Sequence, residues 1–232
     1  MVNAAVDTGD VGQRLGDWLD FRQAIALQGF IGAVDDPQAQ PVRATARVDA
    51  TVLRQRFAQV RAALEQSIAQ GSVPAPGLTR IDMPQTELAH PIDAKTAFDP
   101  LRRYSLGHQR QMDNIIRSLR AQLRGMLDKG ATPHKRLAAL DAIFENVLQE
   151  REARLLGQIS LRFEKRFAQA IKQHMKLLAE AAQADEPAPR TAPWLTPLFD
   201  DMRQALLAEL DLRLQPVLGL IEALTQDTPT PP

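Results

Sequence analysis

Apolar residues recur every three or four positions along most of this chain, the mark of helices that each bury one face. Between about 11 and 34, Leu15, Trp18, Leu19, Phe21, Ile25, Phe30 and Ile31 form a broad apolar surface, and Asp35-Asp36-Pro37 stops it, because proline cannot continue a helix. From about 49 to 70, Leu53, Phe57, Val60, Leu64 and Ile68 follow spacings of 4, 3, 4 and 4. Asp49 suits the N-cap there and Gly71 the stop. Asp99-Pro100 opens the next helix, a capping residue followed by a proline at the first helical position. Its apolar face reads Tyr104, His108, Met112, Ile115, Leu119, Leu123 and Met126, and Gly130 ends it.

Thr132-Pro133 repeats the start signal. Leu140, Phe144, Val147, Arg151, Leu155, Ile159, Phe163, Phe167, Ile171, Met175 and Leu178 then run on with little interruption. The pattern predicts one helix of about 50 residues, or two that meet near Gly157, and a run of this length suggests a projecting hairpin. Spacings dominated by 4 argue against a long left-handed coiled coil. Thr196-Pro197 begins the last helix, with Phe199, Met202, Leu206, Leu210, Leu214, Val217, Ile221 and Leu224 on one face. Pro216 should kink or break it.

Proline-rich stretches divide these segments. Pro74, Pro76, Pro84 and Pro91 forbid a long helix across 71–99,. The short apolar residues Leu78, Ile81, Met83 and Leu88 offer points at which that linker is pinned. The expected organisation is an N-terminal helical pair over 1–70, the linker 71–99, a central helical hairpin over 100–184, a second linker 185–194, a C-terminal helix over 195–225 and a polar, disordered tail from 226 to 232. The fold class is all-α, a bundle built around a long hairpin.

Composition agrees with this and narrows the chemistry. Leucine and alanine supply the apolar content, aromatics are 5% and cysteine is absent, so thiolate catalysis and cysteine-held metal sites are excluded. The opening Met1-Val2-Asn3-Ala4-Ala5-Val6-Asp7 has neither the basic nor the apolar region of a secretion signal, and no apolar run approaches the roughly 18 residues that span a bilayer. A soluble, cytoplasmic protein is expected. The formal net charge is zero, but it is unevenly laid out. Residues 1–41 hold two basic and six acidic groups, residues 100–129 seven basic and two acidic, and residues 185–232 three basic and eight acidic. Acidic ends therefore accompany a basic centre, either as helices that pack beside one another or as a basic surface for an acidic partner.

No phosphate-cradling glycine loop, nucleophile elbow or paired-histidine motif occurs. His90, His108, His134 and His174 are the only imidazoles. His108 lies on an apolar face, where a core histidine with a satisfied hydrogen bond is expected. Asp141, Glu145, Glu150, Glu152 and Glu164 invite comparison with carboxylate-bridged metal bundles, but those need Glu-x-x-His on two helices, and neither Glu145 nor Glu152 is followed by histidine at that spacing. No metal, cofactor or catalytic residue is therefore assigned. The most ordered polar feature is an arginine row. Arg103, Arg110, Arg117 and Arg124 stand seven apart, with Arg120 beside them. On a straight helix they form a stripe that drifts only about 20° per heptad. Such a stripe meets an acidic helix, binds a protein partner or, as the alternative reading, tracks a nucleic-acid backbone as a regulator would.

The stretch from Tyr104 to His174, with His108-Gln109-Arg110-Gln111-Met112, Leu137-Ala138-Ala139-Leu140-Asp141, Arg151-Glu152, Leu155-Leu156 and Arg162-Phe163, resembles an uncharacterised proteobacterial family, a domain of unknown function. The segment from Arg14 to Phe30 fits the same pattern. The resemblance implies genes that lie near those of TolQ/MotA-like and OmpA-like envelope proteins, hence a cytoplasmic accessory of an envelope-associated assembly with protein partners. It carries over no catalytic residue. Within that stretch Arg151 interrupts an apolar face, and a buried arginine needs a partner or costs several kcal/mol. Tyr104, His108 and Arg151 are thus the candidates for a polar network in the core. The function expected overall is non-catalytic: an interaction or scaffold protein, with self-association through its long amphipathic helices.

Overall fold

A computed structural model describes residues 50–70, 78–84, 93, 96–183 and 193–226. The expected helix at 11–34, the Asp49 cap, the Gly71 stop and the tail beyond 226 lie outside the described residues. Among the described residues there are four helices and no strands: α1 (Ala50–Gln70), α2 (Asp99–Leu127), α3 (Thr132–Gln183) and α4 (Leu195–Gln226). The all-α class is as the periodicity indicates. α3 is a single helix of 52 residues that passes through Gly157 without interruption, which settles the choice left open by its sequence. Pro216 stands inside α4 without ending it. The carbonyl deprived of its intrahelical bond belongs to Leu212, a solvent-exposed residue,.

The chain divides into two compact units. Of the described residues, those from 122 to 153 belong to one, and those from 50 to 121 and from 154 to 226 to the other.

In the second unit α4 supplies the longest buried stripe. Leu195, Leu198, Phe199, Met202, Leu206, Leu210, Leu214, Val217, Leu220 and Ile221 are all buried, and their three- and four-residue steps keep them on one side of the helix. α1 packs against α4 and contributes Leu53, Phe57, Leu64 and Ile68. α2 adds Leu101, Tyr104, Met112, Ile116 and Leu119. The spacing had favoured Ile115, but its neighbour Ile116 takes the core position and Ile115 is half-buried. From α3 come Phe167 and Ile171. Phe167 sits between Phe98 and Trp194, with ring centroids 5.3 and 5.4 Å away, and His174 edges onto Trp194. Residues 78–84 lie along α2: the Thr79 amide donates to Gln111 Oε1 at 2.8 Å, and Ile81 packs where a side chain on Gly107 would stand, 3.4 Å from the place of its Cβ. Ile81 is thus a pin of the proline-rich linker.

In the first unit the described part is a hairpin of the last turns of α2 and the first turns of α3. The turn closes through Gly130 N–H to Leu127 O at 2.9 Å and His134 N–H to Ala131 O at 2.9 Å. A Cβ on Gly130 would fall 2.8 Å from His134 Nδ1 and 3.2 Å from Leu127 O, so a side chain there would have to displace the His134 ring and crowd the turn. Leu123 and Leu127 on one arm and Ala138 and Val147 on the other are buried.

The face of α3 departs from its sequence pattern in the middle. The apolar repeat continues through Leu155 and Ile159, yet these residues are 52% and 37% exposed, and Leu161 beside them is 57% exposed. Periodicity marks the face that is apolar; whether another element covers it is set by tertiary contacts that the repeat does not encode.

Candidate functional site: polar clusters in the helical core

Three polar clusters are held by the helices. The first surrounds the C-terminal end of α1. The last carbonyls of a helix have no partner within it and need donors from elsewhere. Two come from other helices. The Tyr104 hydroxyl of α2 donates to Ile68 O at 2.5 Å, and the Arg203 guanidinium of α4 donates to Ala69 O at 2.6 Å. Gln111, two turns beyond Tyr104 on the same face of α2, donates to Ser67 Oγ at 3.1 Å. His108 lies between them with its ring edge against Tyr104, centroids 4.5 Å apart. Phe199 closes the other side of Tyr104 at 5.2 Å.

Burial dictates the charge state here. It pushes the Tyr104 hydroxyl up to about 12, with the Arg203 charge pulling the other way. It lowers His108 to about 4, so the imidazole is neutral at physiological pH. His108 Nε2 is buried and has no hydrogen-bond partner among the described residues, contrary to the satisfied core histidine that the sequence suggests.

Tyr104 and His108 therefore belong to one buried polar cluster, as their positions on an apolar face indicate. Arg151 is a correction: its side chain is exposed, so it takes no part in a buried network. The arginine of this cluster is Arg203, nearly 100 positions from Tyr104. It carries no sequence signal, because its role depends on how α4 returns past the end of α1.

The second cluster joins α2 to α4. Glu209 is buried and takes both of its oxygens into hydrogen bonds, from Arg213 Nε at 2.8 Å and from Gln109 Nε2 at 2.9 Å. Arg213 also reaches Asp113 at 3.4 Å, and Asp113 meets Arg117 at 3.0 Å. The third cluster lies in the hairpin of the first unit. Arg124 pairs with Asp141 at 2.8 Å and with Glu145 at 2.6 Å, all three side chains less than one-fifth exposed. Burial opposes the Arg124 charge, but the hydrogen bonds to Asp141 and Glu145 outweigh it and raise the guanidinium pKa.

These pairings take the arginine row apart. Arg103 and Arg110 are exposed. Arg117 is held by Asp113, Arg120 is partly buried, and Arg124 is committed to two carboxylates. The heptad spacing places them on one stripe, as read, but two of its members serve the fold's own carboxylates, so the row is not the uniform exposed track that a phosphate backbone would follow. The uneven charge along the chain is answered in the same way where it is described: Asp201 of acidic α4 meets Arg166 of α3 at 2.8 Å, and Asp211 meets Arg61 of α1 at 2.9 Å.

Among the described residues no group of three or more acidic or histidine side chains is arranged to hold a metal ion, and no helix is long and apolar enough to cross a membrane. The family model of DUF3348, a protein of unknown function, matches residues 3–226. No curated protein and no solved structure matches the chain.

Proposed function

We propose, for a chain that belongs to the DUF3348 family of proteins of unknown function, a non-catalytic role as a helical interaction or scaffold protein. The observation that carries this reading is the middle of α3. Over residues 154–162 the helix presents Leu155, Ile159 and Leu161 to solvent, while its later turns bury Phe167 and Ile171 in the second unit's core. Exposed leucines scattered singly need no explanation. Leu155 and Ile159 stand one turn apart on the same side of the helix, an adhesive edge of the kind used in helix–helix recognition, while Leu161 is exposed further round,. On this reading the protein works in the cytoplasm as an accessory of an envelope-associated assembly, as its family resemblance implies, and its polar clusters rigidify the helices that display the surface.

Affinity capture of the tagged protein from its native host, followed by mass spectrometry, tests the role. The same capture with Leu155→Glu and Ile159→Glu together is the control. Proteins recovered with the parent and lost with the double variant support an interaction surface on α3. Identical recoveries from both, or none from either, refute it.

A further inference from the structure

The chemistry of the α3 surface names its partner class, and the inference rests on the interaction reading above. From residue 153 to 163 the helix carries Arg154 and Arg162 but no acidic side chain, and both arginines are exposed. Lys165, one turn further on, is exposed as well. At 100° per residue, Leu155 and Ile159 lie along one border of this basic strip, and Leu161 lies along the other. The surface is therefore cationic and apolar at once.

A second copy of the chain fits it poorly. Antiparallel pairing about a two-fold axis at Gln158 sets Arg154 against Arg162 of the other copy. Parallel pairing sets each arginine against itself. Like charges brought together at an interface cost affinity and select against that partner. An acidic helix suffers neither penalty. The fold already meets this helix in that way one turn away, where Asp201 of α4 pairs with Arg166 at 2.8 Å. We infer that Arg154, Leu155, Ile159, Arg162 and Lys165 of α3 form a docking surface for an acidic amphipathic helix of a partner protein, whose apolar side covers Leu155 and Ile159 and whose carboxylates face Arg154, Arg162 and Lys165.

Fluorescence polarisation on the full chain tests this, with three labelled 18-residue probes: a Leu/Glu amphipathic peptide, a Leu/Lys peptide of the same pattern, and a Leu/Glu peptide scrambled to destroy its apolar face. The inference expects the acidic amphipathic peptide to bind at least tenfold tighter than either control. It expects that binding to weaken several-fold between 50 and 300 mM salt, and to fall at least tenfold in Arg154→Glu/Arg162→Glu and in Leu155→Glu/Ile159→Glu. All four positions are exposed, so the variants should keep the parent's helicity and melting temperature. Equal binding of the Leu/Glu and Leu/Lys peptides would overturn the acidic partner and leave the interaction reading standing. Dimerisation in sedimentation that Leu155→Glu/Ile159→Glu abolishes would do the same in favour of a second copy. Absence of peptide binding would overturn the inference, and capture from the host by the parent alone would then still uphold the broader reading.

Discussion

His108 gives the most quantitative expectation. Its ring is buried against Tyr104, and burial lowers it to about 4 from an ordinary 6.5. Below pH 6.5 the unfolded chain takes up a proton at this position that the folded core refuses. Stability present above pH 6.5 is therefore lost as pH falls toward 4. The full shift corresponds to about 3 kcal/mol, and about 2 kcal/mol of it should disappear between pH 7 and pH 5. Carboxylates also titrate toward the acid end, so the informative quantity is a difference between proteins. His108→Leu removes the titrating group and the unpartnered Nε2 together. At pH 7.5 the variant should stay within about 1 kcal/mol of the parent, because the lost edge contact with Tyr104 and the removed unsatisfied polar atom offset one another. Urea denaturation followed by Trp194 fluorescence reports on the unit that holds His108, with Trp18→Phe silencing the other tryptophan. The stability of His108→Leu relative to the parent should rise by about 2 kcal/mol from pH 7 to pH 5. A difference flat to within about 0.5 kcal/mol over that range would refute the buried neutral imidazole.

Other substitutions probe the remaining clusters. Tyr104→Phe deletes the donor to Ile68 O and should cost about 1–2 kcal/mol in denaturant unfolding with the m-value unchanged; no loss would mean that the C-terminal end of α1 is capped by other means. Arg124→Ala leaves Asp141 and Glu145 facing each other inside the hairpin, and should cost about 2–3 kcal/mol, part of it recovered when Asp141→Asn and Glu145→Gln are added; equal costs with and without the added pair would dismiss the ion cluster. Gly130→Ala and Gly157→Ala should differ in sign. The first drives a methyl against His134 and Leu127 O and destabilises, whereas nothing lies within 4 Å of a Cβ at Gly157, so alanine there should stabilise by roughly 0.5–1 kcal/mol. Thermal melts of the two variants decide it, and a destabilising Gly157→Ala would dispute the unbroken α3.

The sequence made the helix boundaries legible and the site only in part, for a physical reason. Helix starts are written locally. Asp99-Pro100, Thr132-Pro133 and Thr196-Pro197 lie at or within a residue of the observed starts of α2, α3 and α4, because capping and proline's fixed φ act within one turn. Tyr104 and His108 announced themselves as polar residues on an apolar stripe. Their partners did not. Ile68 O is a backbone atom and Arg203 lies on the last helix, so only the return of the chain brings them together. Arg151 misled for the complementary reason. It interrupts an apolar repeat, but the repeat is exposed over those turns, so the arginine meets solvent rather than a core. The arginine row was read correctly as a stripe on one helix, while the assignment of Arg124 to Asp141 and Glu145 depended on the hairpin that folds α3 back upon α2.

The central claim is that the middle of α3 is where this protein meets another. Site-specific photocrosslinking in the native host tests it most directly, with a photoreactive residue placed at position 155 and, as control, at position 212, which is also exposed but lies on α4. The account predicts a discrete, light-dependent adduct from position 155 that position 212 does not give. Adducts absent from both positions, or identical from both, would contradict it.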